Sequence, residues 1–287
     1  MASGILIVDK PAGWTSQDVV SKLRGVFHER RVGHGGTLDP MATGVLPVFF
    51  GRATRAVEFF EHAEKIYRAS LRLGVTTDTQ DTTGTVLREA PVCVTSEELE
   101  AVLKRFTGEL EQLPPMYSAI KIGGRKLYEI ARKGGEVERA PRKITIYRLE
   151  SERFDGKTAE LLVHCSKGTY VRTLCHDLGA ALGCGGCMSA LRRVAAGSFS
   201  IGQALTLEQI LSAEDPASLL LPTDTLFAAH RAQRLNAAQE RKCRNGADFR
   251  AEWPDGRCRL YGADGEFLAL ASCEQGVVRT VKSFFAV

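Results

Sequence analysis

Gly33-His34-Gly35-Gly36-Thr37-Leu38-Asp39-Pro40-Met41-Ala42-Thr43-Gly44-Val45-Leu46-Pro47 is the stretch on which the reading of this chain turns. Three glycines ahead of an Asp-Pro step describe a backbone that approaches something closely or takes positive φ. Pro40 biases Asp39 toward an extended conformation, so its carboxylate is expected to project from a rigid loop. His34 adds a flat ring able to stack on a base. The plainer alternative is an Asx-type turn. No Gly-Lys-Ser/Thr follows, so this is not a nucleotide phosphate loop.

Around this block the chain alternates irregularly between strand and helix patterns. Gly4 to Val8 reads as a strand, followed by a turn over Asp9 to Gly13. A helix comes next, capped by Thr15 or Ser16, with Val19, Val20, Leu23 and Phe27 on one buried face. Arg55 to Glu64 reads as helical and Tyr67 to Gly74 as a strand. Ser96 is the expected cap of a further helix, with Leu99, Val102, Leu103 and Phe106 inward. Lys143 to Arg153 and Ala159 to Cys165 read as strands, and Tyr170 to Leu182 as a helix. This is not the regular alternation of a doubly wound sheet; it predicts an α+β fold on a mixed or antiparallel sheet. After about residue 230 short strands dominate, with hairpin signals at Asp255-Gly256 and Asp264-Gly265. The expected division is a large domain over 1–229 and a small β domain over 230–287, whose basic lead-in (Arg241, Lys242, Arg244, Arg250) suits RNA.

Two further segments carry chemistry. His164-Cys165-Ser166-Lys167-Gly168-Thr169-Tyr170-Val171-Arg172-Thr173 runs from a strand end through a glycine into a helix start. An arginine in the first helical turn opposes the helix dipole, so Arg172 is expected to have an anionic partner, with Asp39 a candidate. Met116-Tyr117-Ser118 through Lys126-Leu127-Tyr128 interleaves aromatics with cations, a pattern for stacking and phosphate contact or for strand packing. From Lys121 to Arg148 nine Lys or Arg face three Glu, a net +6 that exceeds the +4 of the whole chain. Such a local excess suits a polyanionic backbone, or else a solvated face.

With 44% hydrophobic and 25% charged residues the chain is globular rather than disordered. The first apolar run, Ile5 to Val8, is too short for a signal peptide, and no run approaches a membrane span, so a cytoplasmic protein is expected. The eight cysteines therefore read as reduced thiols. Cys184-Gly-Gly-Cys187 has half a zinc site's spacing but no second pair, and no metal is expected.

Together these segments resemble the bacterial tRNA pseudouridine-55 synthase family. The resemblance spans about Ile5 to Leu207: Val8-Asp9-Lys10-Pro11 with Gly13 and Thr15-Ser16, the Gly33 to Pro47 block, Lys65-Ile66-Tyr67-Arg68, Met116 to Tyr128, Cys165 to Thr173 and Leu191-Arg192-Arg193. It implies the pseudouridine-synthase fold with a small PUA-like domain at the end, although no family pattern is matched after about His230. It implies that Asp39 is the catalytic carboxylate and that Arg172 pairs with it. Tyr67 would stack on the target base and assist proton removal at C5. His34 would pack against flipped-out nucleotides, Tyr170 and Leu191 would line the uridine pocket, and Lys10, grouped with these substrate-binding residues, would support the loops around it. The implied reaction converts uridine 55 in the T loop of tRNA to pseudouridine by base flipping, without cofactor, membrane, guide RNA or obligatory protein partner.

That reaction breaks the bond between ribose C1′ and N1, turns the base and rejoins it through C5. The carboxylate attacks C1′ or C6, or takes a proton from C2′; the sequence leaves all three open. Burial would protonate it and Arg172 would oppose this. Two rivals stand beside it: a non-catalytic tRNA-binding or folding factor that uses the same surface, and a nucleoside glycosidase or hydrolase in which Asp39 activates water.

Overall fold

The computed structural model describes residues 2–286 apart from 119, 123, 132 and 133, and the side chains of 121, 122 and 126 are likewise left aside. Part of the expected basic stretch (Lys121, Lys126, Arg132, Lys133) thus lies outside the described side chains. Of its remainder, Arg148 is occupied by Glu150 at 2.7 Å and Arg139 donates to the Pro114 carbonyl, while Arg125, Arg142 and Lys143 are exposed.

Four strands frame the glycine-rich loop and the sheet beneath it: β1 (Gly4–Lys10), β2 (Val32–His34), β3 (Thr43–Phe50) and β4 (Lys65–Leu73). They belong to a ten-stranded mixed sheet. From one edge it runs Leu205–Thr206, β1, β3, Gly186–Ala196, β4, Thr158–Cys165, Arg142–Phe154 and Gly108–Gln112, with β2 paired to β3 and Phe199–Ser200 to Gly186–Ala196. Most neighbours are antiparallel; β1 with Leu205–Thr206, and β3 with Gly186–Ala196, are parallel. The β1 pattern is buried on both faces, and β4 alternates buried with open positions as a half-exposed strand should.

The helix α1 (Ser16–Val26) starts at Thr15, whose hydroxyl accepts from the Asp18 amide at 3.0 Å while the Thr15 amide donates to the Asp18 carboxylate at 2.8 Å. Ser16, the other expected cap, lies inside the structure and serves the neighbouring loop. Thr95 rather than Ser96 caps the helix Ser96–Arg105, because its hydroxyl closes a capping box with Glu98. Leu99, Val102 and Leu103 are buried as expected, and Phe106 only partly. The expected helix Arg55 to Glu64 reduces to a 3₁₀ turn, Gly51–Ala56, and one α turn, Val57–Phe60; neither has a side-chain cap.

One central strand escapes sequence reading altogether. Gly186–Ala196 bridges the two halves of the sheet, yet register shifts at Met188/Ala190 and Arg193/Ala195 break its alternation. Gly44 of β3 faces its main chain at closest range. A Cβ there would lie 2.2 Å from the Arg193 carbonyl oxygen, and φ is +102°. Gly44→Ala is therefore expected to cost about 2–4 kcal/mol of stability, read as a lower denaturant midpoint.

The C-terminal part forms a separate five-stranded sheet: Arg231–Arg234, Gly256–Tyr261, Phe267–Glu274, Val277–Ser283 and Phe249–Arg250. Leu235, Phe249, Leu260 and Leu268 make its own core. Leu270 and Phe284 instead pack with Phe49, Phe60 and Phe227, fastening it to the large sheet. All eight cysteines are free thiols, and no described helix is long and apolar enough to cross a membrane.

Candidate active site

The glycine-rich loop is held from below by three side chains. Ser16 Oγ accepts from the Leu38 amide at 2.8 Å and donates to the Leu38 carbonyl at 3.2 Å, so one hydroxyl satisfies both backbone groups of a buried residue. Lys10, with no exposed surface, donates to the carbonyls of Pro11, Trp14 and Pro40 at 2.8, 2.6 and 3.2 Å. Arg193, 1% exposed, donates to the Val45 and Gly36 carbonyls at 2.7 and 3.0 Å. At Gly36 φ is +97°, a conformation that glycine adopts without strain.

These clamps fix the residue between them, Asp39. Its carboxylate lies 2.9 Å from Arg172 Nε, with 38% of the aspartate side chain open to solvent and 6% of the arginine. Arg172 enters from the first turn of the helix Val171–Ala181, which has no acidic residue there to offset the dipole. Its other nitrogens are also committed. Nη1 donates to the Thr79 carbonyl at 3.2 Å and lies 3.5 Å from Asp81 Oδ2; Nη2 donates to the Tyr117 carbonyl at 2.8 Å. A guanidinium bound on four sides has little freedom, so Asp39 meets a fixed charge.

Burial is the largest influence on Asp39 and raises its pKa; Arg172 opposes it, the Asp81 charge adds to the rise, and Lys10 opposes it again. The opposing charges of Arg172 and Lys10 do not cancel burial and the Asp81 charge, so the carboxyl pKa lies above its ordinary value. Lys10 is pulled down to about 8, chiefly by burial against the attraction of Asp39.

Leu38, Tyr67 and Leu191 belong to one packed cluster beneath the loop. Tyr67 of β4 pairs across the sheet with Arg193, which hydrogen-bonds its hydroxyl; burial still raises the phenol pKa, with Arg193 opposing. Tyr170 precedes the helix carrying Arg172, and Gln112 grips its backbone through two hydrogen bonds of 2.7 and 3.1 Å. His34, half-buried on β2, has its pKa lowered by burial and then by Arg193, so its ring is neutral. Its Nδ1 is buried with no partner among the described residues.

Lys10, which the resemblance groups with the substrate-binding residues as a support for their loops, is fully enclosed with its ammonium on three carbonyls, so it holds the loop from within. Asp81 and Arg193 were not singled out from sequence. The signal for Asp81 was the threonine-rich run Thr76 to Thr85: its Oδ1 accepts from the hydroxyl of Thr79 at 2.8 Å, and from the amide and hydroxyl of Thr83. Arg193 stood in the quoted Leu191-Arg192-Arg193 block without a role.

Comparison with known proteins gives this geometry its context. The structure superposes on a crystal structure of a Cbf5-Nop10-Gar1 complex with a TM-score of 0.74, at 26% identity, covering 99% of this chain and 85% of that one. Fold and site together define a pseudouridine synthase. A family model described as TruB family pseudouridylate synthase (N terminal domain) matches residues 24–171, and one described as tRNA pseudouridylate synthase B C-terminal domain matches 172–228. Proteins named tRNA pseudouridine synthase B from Azoarcus sp. (strain BH72) and Ralstonia nicotianae are 45% and 43% identical, covering 97% and 96% of this chain and 94% and 92% of theirs. The chain belongs to the TruB family of pseudouridylate synthases.

Proposed function

We propose that this chain converts the T-loop uridine of tRNA to pseudouridine, with Asp39 acting directly on an everted nucleotide. One observation carries this reading: a partly open carboxylate on a clamped loop, 2.9 Å from a buried guanidinium that is itself immobilised. A loop uridine is reached by leaving its stack, at a cost of a few kcal/mol that stacking and phosphate contacts recover. His34, uncharged, and Tyr67, its hydroxyl tied to Arg193, offer such surfaces. Tyr170 and Leu191 would line the pocket and exclude water, which would otherwise trap the sugar as an abasic site.

The chemistry is mass-neutral. The C1′–N1 bond breaks, C1′–C5 forms, C5 loses a proton and N1 gains one. No electrons or groups leave the substrate, so no cofactor is required. Of the three routes, attack at C1′, attack at C6 and proton removal at C2′, each needs Asp39 ionised. Because burial raises its pKa, activity should fall as pH drops through a value above the ordinary 3.8 of aspartate. The acid limb of a kcat/KM profile reads this value.

The remaining assignments are part of the same proposal: a catalytic domain over 1–229, a PUA-like RNA-contacting domain over 230–287, action inside the cytoplasm, and no guide RNA or obligatory protein partner. The test is tRNA incubated with the chain alone. The expected product has unchanged mass and one carbodiimide-reactive nucleotide in the T loop. Free uracil or an abasic site would instead identify a hydrolase, and binding without any product a folding factor.

A further inference from the structure

Two buried cations meet beneath Gly36 without a counter-charge. Arg193 is 1% and Lys65 8% exposed. Among the described residues Arg193 reaches the Val45 and Gly36 carbonyls and the Tyr67 hydroxyl, and Lys65 donates to the Ala63 carbonyl. Neither forms an ion pair among the described residues; burial and the Arg193 charge push the Lys65 pKa down, the Cys165 thiol opposes them, and Lys167 adds to the fall. A Cβ on Gly36 would lie 3.5 Å from Arg193 Nη1 and 3.9 Å from Lys65 Cε, so both cations sit directly under this residue. Enclosed charges are ordinarily paired, because desolvation costs several kcal/mol per ion.

The surface above them has unused donors. Gly35 donates to the Pro47 carbonyl and Leu38 to Ser16, but the amides of Gly36 and Thr37 and the Thr37 hydroxyl have no partner among the described residues. Gly36 and Thr37 are exposed. Free amides on a positive-φ glycine turn, backed by unpaired cations, form an anion seat.

We infer that Gly36 and Thr37, above Arg193 and Lys65, bind a phosphate group, the phosphodiester beside the everted uridine. The inference rests on the RNA-modifying reading for its source of phosphate. The seat lies on the loop that carries Asp39, so a phosphate held there would fix the strand as the base turns outward. The two cations act through the loop, by charge, rather than by contact.

Thr37→Asp tests it, since this exposed side chain has no partner to lose and the thermal midpoint should not move. Binding of a T stem-loop RNA is measured across salt concentrations. The expected result is about tenfold weaker binding and a log–log salt slope reduced by about 1. Neutral methylphosphonates are then placed singly at the phosphates flanking the target uridine. One position should weaken wild-type binding and add nothing in Thr37→Asp. Penalties that multiply at every position would overturn the seat. If the wild-type protein shows no preference for the T stem-loop, the tRNA reading fails. The seat is then read separately with inorganic phosphate, which should shift the Gly36 and Thr37 amide resonances in the wild-type chain only; unmoved resonances overturn it.

Discussion

Asp39→Asn is expected to abolish tritium release from C5-labelled uridine in tRNA, by about 10⁴-fold or more, with tRNA affinity kept within a few-fold. An amide is neither a nucleophile nor a base, so each of the three routes fails. The fold should not suffer. Burial raises the Asp39 pKa, so the folded chain holds this proton more tightly than the unfolded chain. Stability then declines as pH rises from the unfolded value through the raised folded one, and the ionised carboxylate is a cost at neutral pH. Asparagine removes that cost, while Arg172 keeps Asp81 and the carbonyls of Thr79 and Tyr117. An unchanged or higher thermal midpoint beside lost turnover separates chemistry from folding. Turnover preserved in Asp39→Asn would favour a non-catalytic or differently centred site.

The second large effect belongs to Arg172→Lys. Arginine spans Asp39, Asp81 and two carbonyls at once with a planar fork. An ammonium is a point charge and cannot meet four partners set around a plane. Displacing Asp39 by an ångström should lower kcat about a hundredfold, with KM changed a few-fold. The acid limb should also move to higher pH, because the opposing charge recedes while burial and Asp81 still push upward. Equal turnover would remove Arg172 from the account.

What was legible in the sequence was local. The Asp39 loop announces itself because glycines, Asp-Pro and the following apolar run are contiguous, and Arg172 because a cation in a first helical turn calls for an anion. Hairpin strands such as Gly256–Tyr261 and Phe267–Glu274 show as short strand-like runs on either side of the Asp264-Gly265 turn. Arg231–Arg234 did not, since this edge strand pairs through its backbone while its side chains face solvent. Gly186–Ala196 was hidden by its two bulges. Asp81 and Arg193 reach the site only because distant strands converge, and no spacing within one segment encodes that. Lys10 belongs to a motif that marks proximity to the site, but only the folded loop shows its ammonium spent on three carbonyls.

The most direct test of the central idea is a crystal structure with a T stem-loop carrying 5-fluorouridine at the target, whose C5 cannot release a proton. The nucleotide is expected outside its stack, against Tyr67, with the Asp39 carboxylate within about 3.5 Å of C1′, C6 or C2′. A target base still stacked in its loop, or seated in a pocket that Asp39 does not face, would contradict it.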